Sequence, residues 1–303
     1  MEIAKDIRGT MAEYLSPLAP FLEGREKGYT DIECNEDGSV WLQPYAGERI
    51  RADNLRIPPR ILMSAFLLLA SEKDEGDLSS KSPSLCTTWP GTTIRIQMWV
   101  PPCVESPSMV IRLPNGHRFT LPELVANGML TEAEAFRLCS LVKAKRNIVV
   151  SGETGSGKTT LASALLDAIP ETERVIIIED VRELRCPLPN HLDLQYQAMG
   201  PYTCRHAVAD SLRGNPDRII IGEVRDGAAL DLLKAWNTGH GGGITTIHAN
   251  NAKSVRARLL SLVGEASAMP QESLVDQSVD VVCHMERTKD GCRLVEIREK
   301  EEQ

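Results

Sequence analysis

The sequence predicts an α/β protein: a larger parallel-sheet α/β domain in the C-terminal half, preceded by a smaller α+β domain. Three observations carry this. Gly152-Glu-Thr-Gly-Ser-Gly-Lys-Thr159 fits the phosphate-loop pattern G-x-x-x-x-G-K-[ST] at every fixed position. Apolar runs at 147–151, 174–179, 218–222 and 244–248 each end in polar residues, with helical stretches between some of them, as in a parallel sheet. Residues 1–113 instead mix short helical and strand patterns.

In chain order, residues 10–23 read as a helix. Two strands, 29–34 and 39–43, flank the turn signal Asn35-Glu-Asp-Gly38. Residues 60–73 read as a helix, and 73–90, rich in Asp, Ser and Pro, as a loop. Strands follow at 92–100 and 109–113, on either side of Pro101-Pro102. Residues 114–120 join this α+β domain (1–113) to the second domain (121–303). There, 121–126 and 131–144 read as helices before the strand at 147–151. The helix after the phosphate loop is stopped by Pro170, and another spans 227–237. The tail from Arg298 to Gln303 reads as disordered.

Composition limits the function classes. The chain has 303 residues, enough for two domains. A net charge of −8 disfavours broad nonspecific binding to nucleic acid. The polar start Met1-Glu-Ile-Ala-Lys-Asp carries no secretory pattern. The most apolar run, Ile61 to Ala70, is too short to span a bilayer. A cytoplasmic protein with at most peripheral membrane contact is expected. The eight cysteines contain no C-x-x-C pair, so free thiols are expected rather than a zinc ribbon.

The chemistry concentrates at strand ends. Gly152, Gly155 and Gly157 let the backbone curl around phosphate oxygens, with Glu153, Thr154, Ser156 and Thr160 completing the cradle. Lys158 reaches the β- and γ-phosphates, and Thr159 offers a hydroxyl to Mg²⁺. The next strand ends in Glu179, Asp180 and Glu183, carboxylates suited to a metal or an attacking water. The third delivers Glu223, just before Arg225. The fourth ends at His248, placed to donate a hydrogen bond to a γ-phosphate. The run 238–243 reads as a glycine-rich loop.

Taken in order, these stretches resemble the secretion ATPase superfamily of type II and type IV secretion and pilus motors, in detail the TrbB-type conjugal transfer ATPases. The matching segments are 145–160, 216–225, 229–240 and 246–250, with weaker likeness at 31–41 and 101–112. The resemblance implies a RecA-like ATPase domain that binds ATP and Mg²⁺ and assembles into a homo-hexamer. It implies that Glu183 polarises water, that Glu223 lies on the metal side with Thr159, and that His248 reports the γ-phosphate. It also implies that N-terminal-domain arginines reach the nucleotide, and Arg95 and Arg112 match those positions. The implied partners are type IV secretion and conjugation channel and coupling components at the cytoplasmic face of the inner membrane. Two readings stay open beside this one: a pilus or type II secretion motor, and a DNA-translocating P-loop ATPase. The first is weakened by the missing four-cysteine module, the second by charge and by aromatics at 4%.

Overall fold

The computed structural model describes residues 10, 13–45, 47–72, 78–89, 92–113, 118–197, 200–289 and 291–300. Two compact units divide the chain, residues 1–116 and 117–303. Residues 114–117 of the expected linker lie outside the described set.

In the N-terminal unit, the single helix expected over 10–23 is broken. A 3-10 turn, Ser16–Leu18, precedes α1 (Ala19–Leu22), each with a proline in its first turn. Pro17 and Pro20 suit helix starts and interrupt a continuous hydrogen-bond ladder. Strands β1 (Tyr29–Cys34) and β2 (Ser39–Pro44) form the expected hairpin. Then come β3 (Ile50–Arg56), α2 (Pro59–Glu72), β4 (Ser84–Thr88), β5 (Arg95–Trp99) and β6 (Ser108–Arg112). The sheet runs β3-β2-β1-β6-β5-β4, antiparallel throughout. β4 corrects the loop expected over 73–90, of which 73–77 and 90 lie outside the described residues. The core joins Ile32, Ile96, Met98 and Ile111, at strand positions facing one side, to the α2 stripe Leu62, Ala65, Phe66 and Leu69.

The C-terminal unit opens with α3 (Leu121–Ala126) and α4 (Glu132–Lys143), each started by a capping box, Thr120 with Glu123 and Thr131 with Glu134. Next are β7 (Ile148–Gly152), α5 (Lys158–Leu165), β8 (Val175–Glu179), β9 (His191–Gln195) and α6 (Cys204–Ser211). Then follow β10 (Arg218–Glu223), α7 (Ala228–Asn237), β11 (Ile244–Ile247), α8 (Val255–Ala266), α9 (Glu272–Ser278), β12 (Val281–Thr288) and β13 (Gly291–Glu299). The sheet order is β13-β12-β7-β11-β10-β8-β9, parallel except for the edge strand β13. Alternate residues feed opposite cores. Ile148, Val150, Ile177 and Ile220 pack with Leu161 and Leu165 of α5, while Val149, Ile176, Ile219 and Ile221 pack in the core that holds Leu232 and Leu259. Helices on both faces explain the near-continuous apolar strands. β13 pairs through Glu299, correcting the disorder expected from Arg298; residues 301–303 lie outside the described set.

Polar groups lock the edge where the strands begin. The Asn147 side chain accepts from the Gly242 and Gly243 N–H groups at 2.7 and 3.1 Å and donates to the Ser278 carbonyl at 2.8 Å. Arg218, fully buried, donates to Glu173 at 2.5 Å and to the Val142 and Gly242 carbonyls at 2.9 and 3.0 Å. Among the described residues, no helix is long and apolar enough to cross a membrane.

Candidate functional site

Parallel neighbours β7, β11, β10 and β8 send their carboxyl ends to one edge of the sheet, the position where open α/β sheets bind ligands. The phosphate loop leaves β7 there. Gly152 has φ 150°, and a Cβ on it would lie 2.3 Å from the Met285 carbonyl oxygen of β12, so a side chain is excluded. Gly157, at φ 88°, turns the chain into α5. The N–H groups of Lys158, Thr159 and Thr160 start that helix and have no carbonyl within it to bond. They present the positive end of the helix to an anion. Lys158 is buried and its Nζ donates to the Glu153 carbonyl at 2.7 Å. Burial lowers its pKa, and the charges of Glu223 and Glu183 act in the opposite sense.

Glu223 ends β10, with its carboxylate between the Arg225 guanidinium and the His248 ring. Arg225 donates to Oε2 at 2.8 Å, and His248 Nε2 lies 3.1 Å from Oε1. Burial alone would raise the Glu223 carboxyl, but Arg225, His248 and Lys158 hold it below the usual range. Arg225 also donates to Asp180 Oδ2 at 3.1 Å, tying the end of β10 to the turn after β8. His248 follows β11 directly. Burial and the Lys158 charge lower its pKa, against the pull of Glu223. Thr246 Oγ1 donates to the Gly222 carbonyl at 2.7 Å, which joins β11 to β10 just below.

Glu179 and Glu183 occupy opposite situations. Glu183 is exposed, on the loop after β8. Glu179 is 5% exposed, and its Oε1 accepts the N–H groups of Glu183 and Leu184 at 3.1 and 3.0 Å. Burial pushes its carboxyl up to about 7, although those two N–H groups lower it.

Glu223 and His248 thus meet directly, with Lys158 close enough for its charge to act on both and Glu183 close enough to act on Lys158. Glu153, Thr154 and Gly155 are exposed on the loop, Ser156 is buried, and Thr159 and Thr160 are half-buried. Arg95 and Arg112 belong to the other unit. They face each other across β5 and β6, and Arg112 Nε donates to Asp31 at 3.0 Å.

Sequence reasoning missed three supports. Arg225 had a signal: positions 223 and 225 fall on the same side of an extended chain. The pair Ser151 Oγ and His284 Nδ1, 2.9 Å apart and buried beneath the loop, had none. Nor did Cys292, whose Sγ donates to the Gly155 carbonyl at 3.2 Å, because β12 and β13 were not anticipated.

The fit to nucleotide and metal rests on buried polar atoms. Ser156 Oγ is buried at this edge with no hydrogen-bond partner, and Glu223 Oε1, also buried, has only the His248 ring nitrogen beside it. Among the described residues, no group of three His, Cys, Asp or Glu side chains is arranged to hold a metal. A single carboxylate, Glu223, beside the phosphate loop suits Mg²⁺, which takes one or two protein ligands and completes its shell with phosphate oxygens and water.

A phosphate loop on a doubly covered parallel sheet, with lysine, carboxylate and histidine from successive strands, defines a P-loop nucleotide-binding protein. The family model described as "Type II/IV secretion system protein" matches residues 84–301. The chain is 36% identical over 274 residues to the conjugal transfer protein TrbB of Rhizobium radiobacter, covering 88% of this chain and 82% of that one. It is 31% identical over 329 residues to the type IV secretion system protein VirB11 of Bartonella quintana, covering 93% and 91%. Its fold matches the VirB11 ATPase of Brucella suis, solved with sulphate, at a TM-score of 0.51 and 32% identity, covering 95% of this chain and 97% of that one. The chain belongs to the type II/IV secretion system family, within the secretion ATPase superfamily.

Proposed function

We propose that the chain is the ATP-hydrolysing motor of a conjugative type IV secretion system, working as a homo-hexamer to power pilus assembly or transfer of substrate or DNA. The observation that carries this is the meeting of Lys158, Glu223 and His248 at the edge that holds the phosphate loop. The TrbB and VirB11 relatives support the pathway. The sulphate in the Brucella suis relative supports oxyanion binding.

In this reading Lys158 and the N–H groups of α5 bind the phosphates. Thr159 and Glu223 hold Mg²⁺, which when bound neutralises charge on the phosphate oxygens. Glu183 orients the attacking water and accepts its proton on a carboxylate oxygen while the bond from the γ-phosphorus to the bridging oxygen breaks. His248 Nε2 turns from Glu223 to the γ-phosphate and reports its presence. Domains 1–113 and 121–303, joined by 114–120, move against each other as the nucleotide changes. Arg95 and Arg112 then act from the N-terminal domain on charge building at the phosphoryl group. The ring works on the cytoplasmic side of the inner membrane, in peripheral contact with it and with channel and coupling components.

The test is Mg²⁺-dependent ATP turnover of wild type and Lys158→Ala, with particle mass measured with and without ATP. Loss of turnover in the variant and a six-fold mass with ATP are expected. Turnover intact in Lys158→Ala, or a monomer at micromolar protein with ATP, would sink the corresponding half of the proposal.

A further inference from the structure

We infer that Glu179 is a positioning residue: it fixes the loop that carries Glu183 against the end of β10, and takes no part in the chemistry itself. The inference rests on the ATP-hydrolysis reading of this site. Glu179 ends β8 and turns inward, while the chain runs outward through 180–183 and returns to the core at Leu184. Its Oε1 accepts the N–H of Glu183 itself and of Leu184. The backbone of the acid assigned to the water is therefore held by a rigid, buried neighbour rather than by solvent.

The other side of Glu179 meets β10. A Cβ placed on Gly222 would lie 2.8 Å from Glu179 Cγ and 2.9 Å from its Oε1. Glycine at 222 lets the carboxylate lie against the strand whose next residue is Glu223. One side chain thus sets the Glu183 loop relative to the Glu223 strand. The backbone carbonyl of Glu179 is held too, by the Tyr196 N–H at 3.0 Å. Outside the turn, Asp180 provides a second clamp through Arg225. A reacting acid needs room for water, and Glu179 is only 5% exposed with Oε1 engaged twice.

The experiment uses the full chain with Glu179→Gln, Glu179→Leu and Glu183→Gln. Glutamine keeps an acceptor oxygen in place, whereas leucine keeps bulk without one. Glu179→Gln is expected to hold kcat within about threefold of wild type, and Glu179→Leu to lower it about 10- to 100-fold with KM for ATP within about threefold. Amide hydrogen exchange at 183 and 184 is expected to quicken in the leucine variant alone. A glutamine variant as impaired as Glu183→Gln would make Glu179 the reacting acid and overturn the proposal. So would normal kcat in Glu179→Leu, KM rising in step with the loss of kcat, or unchanged exchange at 183 and 184. Absence of ATP turnover in wild type would instead sink the proposed function, and the exchange comparison would still decide what Glu179 holds.

Discussion

The two sheets of this chain use charge in different ways. In the C-terminal sheet, parallel strands bring Lys158, His248, Glu223 and the Glu183 loop to one edge, and side-chain pairs and backbone hydrogen bonds hold them there. In the N-terminal sheet, antiparallel strands carry Asp31, Arg112 and Arg95 in a row across one face. Arg112 is about half exposed, with a partner on a neighbouring strand. Parallel order collects strand ends, whereas antiparallel order distributes them to both edges. Charge in the first sheet is built into the fold; charge in the second rests on its surface.

That contrast can be broken by measurement. The largest effect is expected from Glu223→Gln, which removes a carboxylate from the convergent edge: ATP turnover should fall about 100-fold or more. Turnover near wild type would mean that convergence at this edge is not what drives hydrolysis. Arg218→Met comes next. It leaves Glu173 without its buried partner and should cost about 3–5 kcal/mol in denaturant unfolding. A loss under about 1 kcal/mol would place that arginine with the surface charges.

A pH series sharpens the comparison further. The Glu179 carboxyl is raised from 4.5 to about 7 by burial. The folded state therefore holds this proton more tightly than the unfolded state does. Stability should fall as pH rises from about 4.5 to about 7, by up to about 3 kcal/mol from this group, and the contribution should be flat outside that window. Glu179→Gln should remove the slope. An unchanged slope in that variant would assign it to other groups. The smallest change is expected from Arg112→Ala, under about 1 kcal/mol in stability, because its ion pair is solvated. A strong loss of turnover in that variant, with stability intact, would support the part proposed for Arg112 in the chemistry, and unchanged turnover would count against it.

Legibility in the sequence follows burial. β7, β8 and β11 are buried along their whole length, and all three were anticipated from apolar runs. β3, β4 and β9, at sheet edges, were missed: β3 and β9 expose most of their residues, β4 buries only Thr87, and Ile50–Arg56 alternates too few apolar side chains to read as a strand. β13, at the other edge, was not anticipated, and its last two residues, Arg298 and Glu299, fell in the stretch read as a disordered tail. At the site, the phosphate loop and the residues ending each strand were legible because their chemistry is local in sequence. The contacts of Glu179 with Gly222, and of Cys292 with Gly155, join residues far apart in the chain and leave no periodic trace.

The Asn147 cluster has a consequence for insertions and deletions. Strands β11 and β12 both pair with β7 from Ile148 onward, and Asn147 fixes that shared origin. Each strand then works as a ruler whose length sets where its last residue emerges. One residue added within 244–247 would reverse the facing of the side chains beyond it and carry His248 away from Glu223. The same addition in a connecting loop would leave every ruler intact. Length variation in relatives should therefore fall in loops and spare these strands, a pattern that an alignment of the family can check.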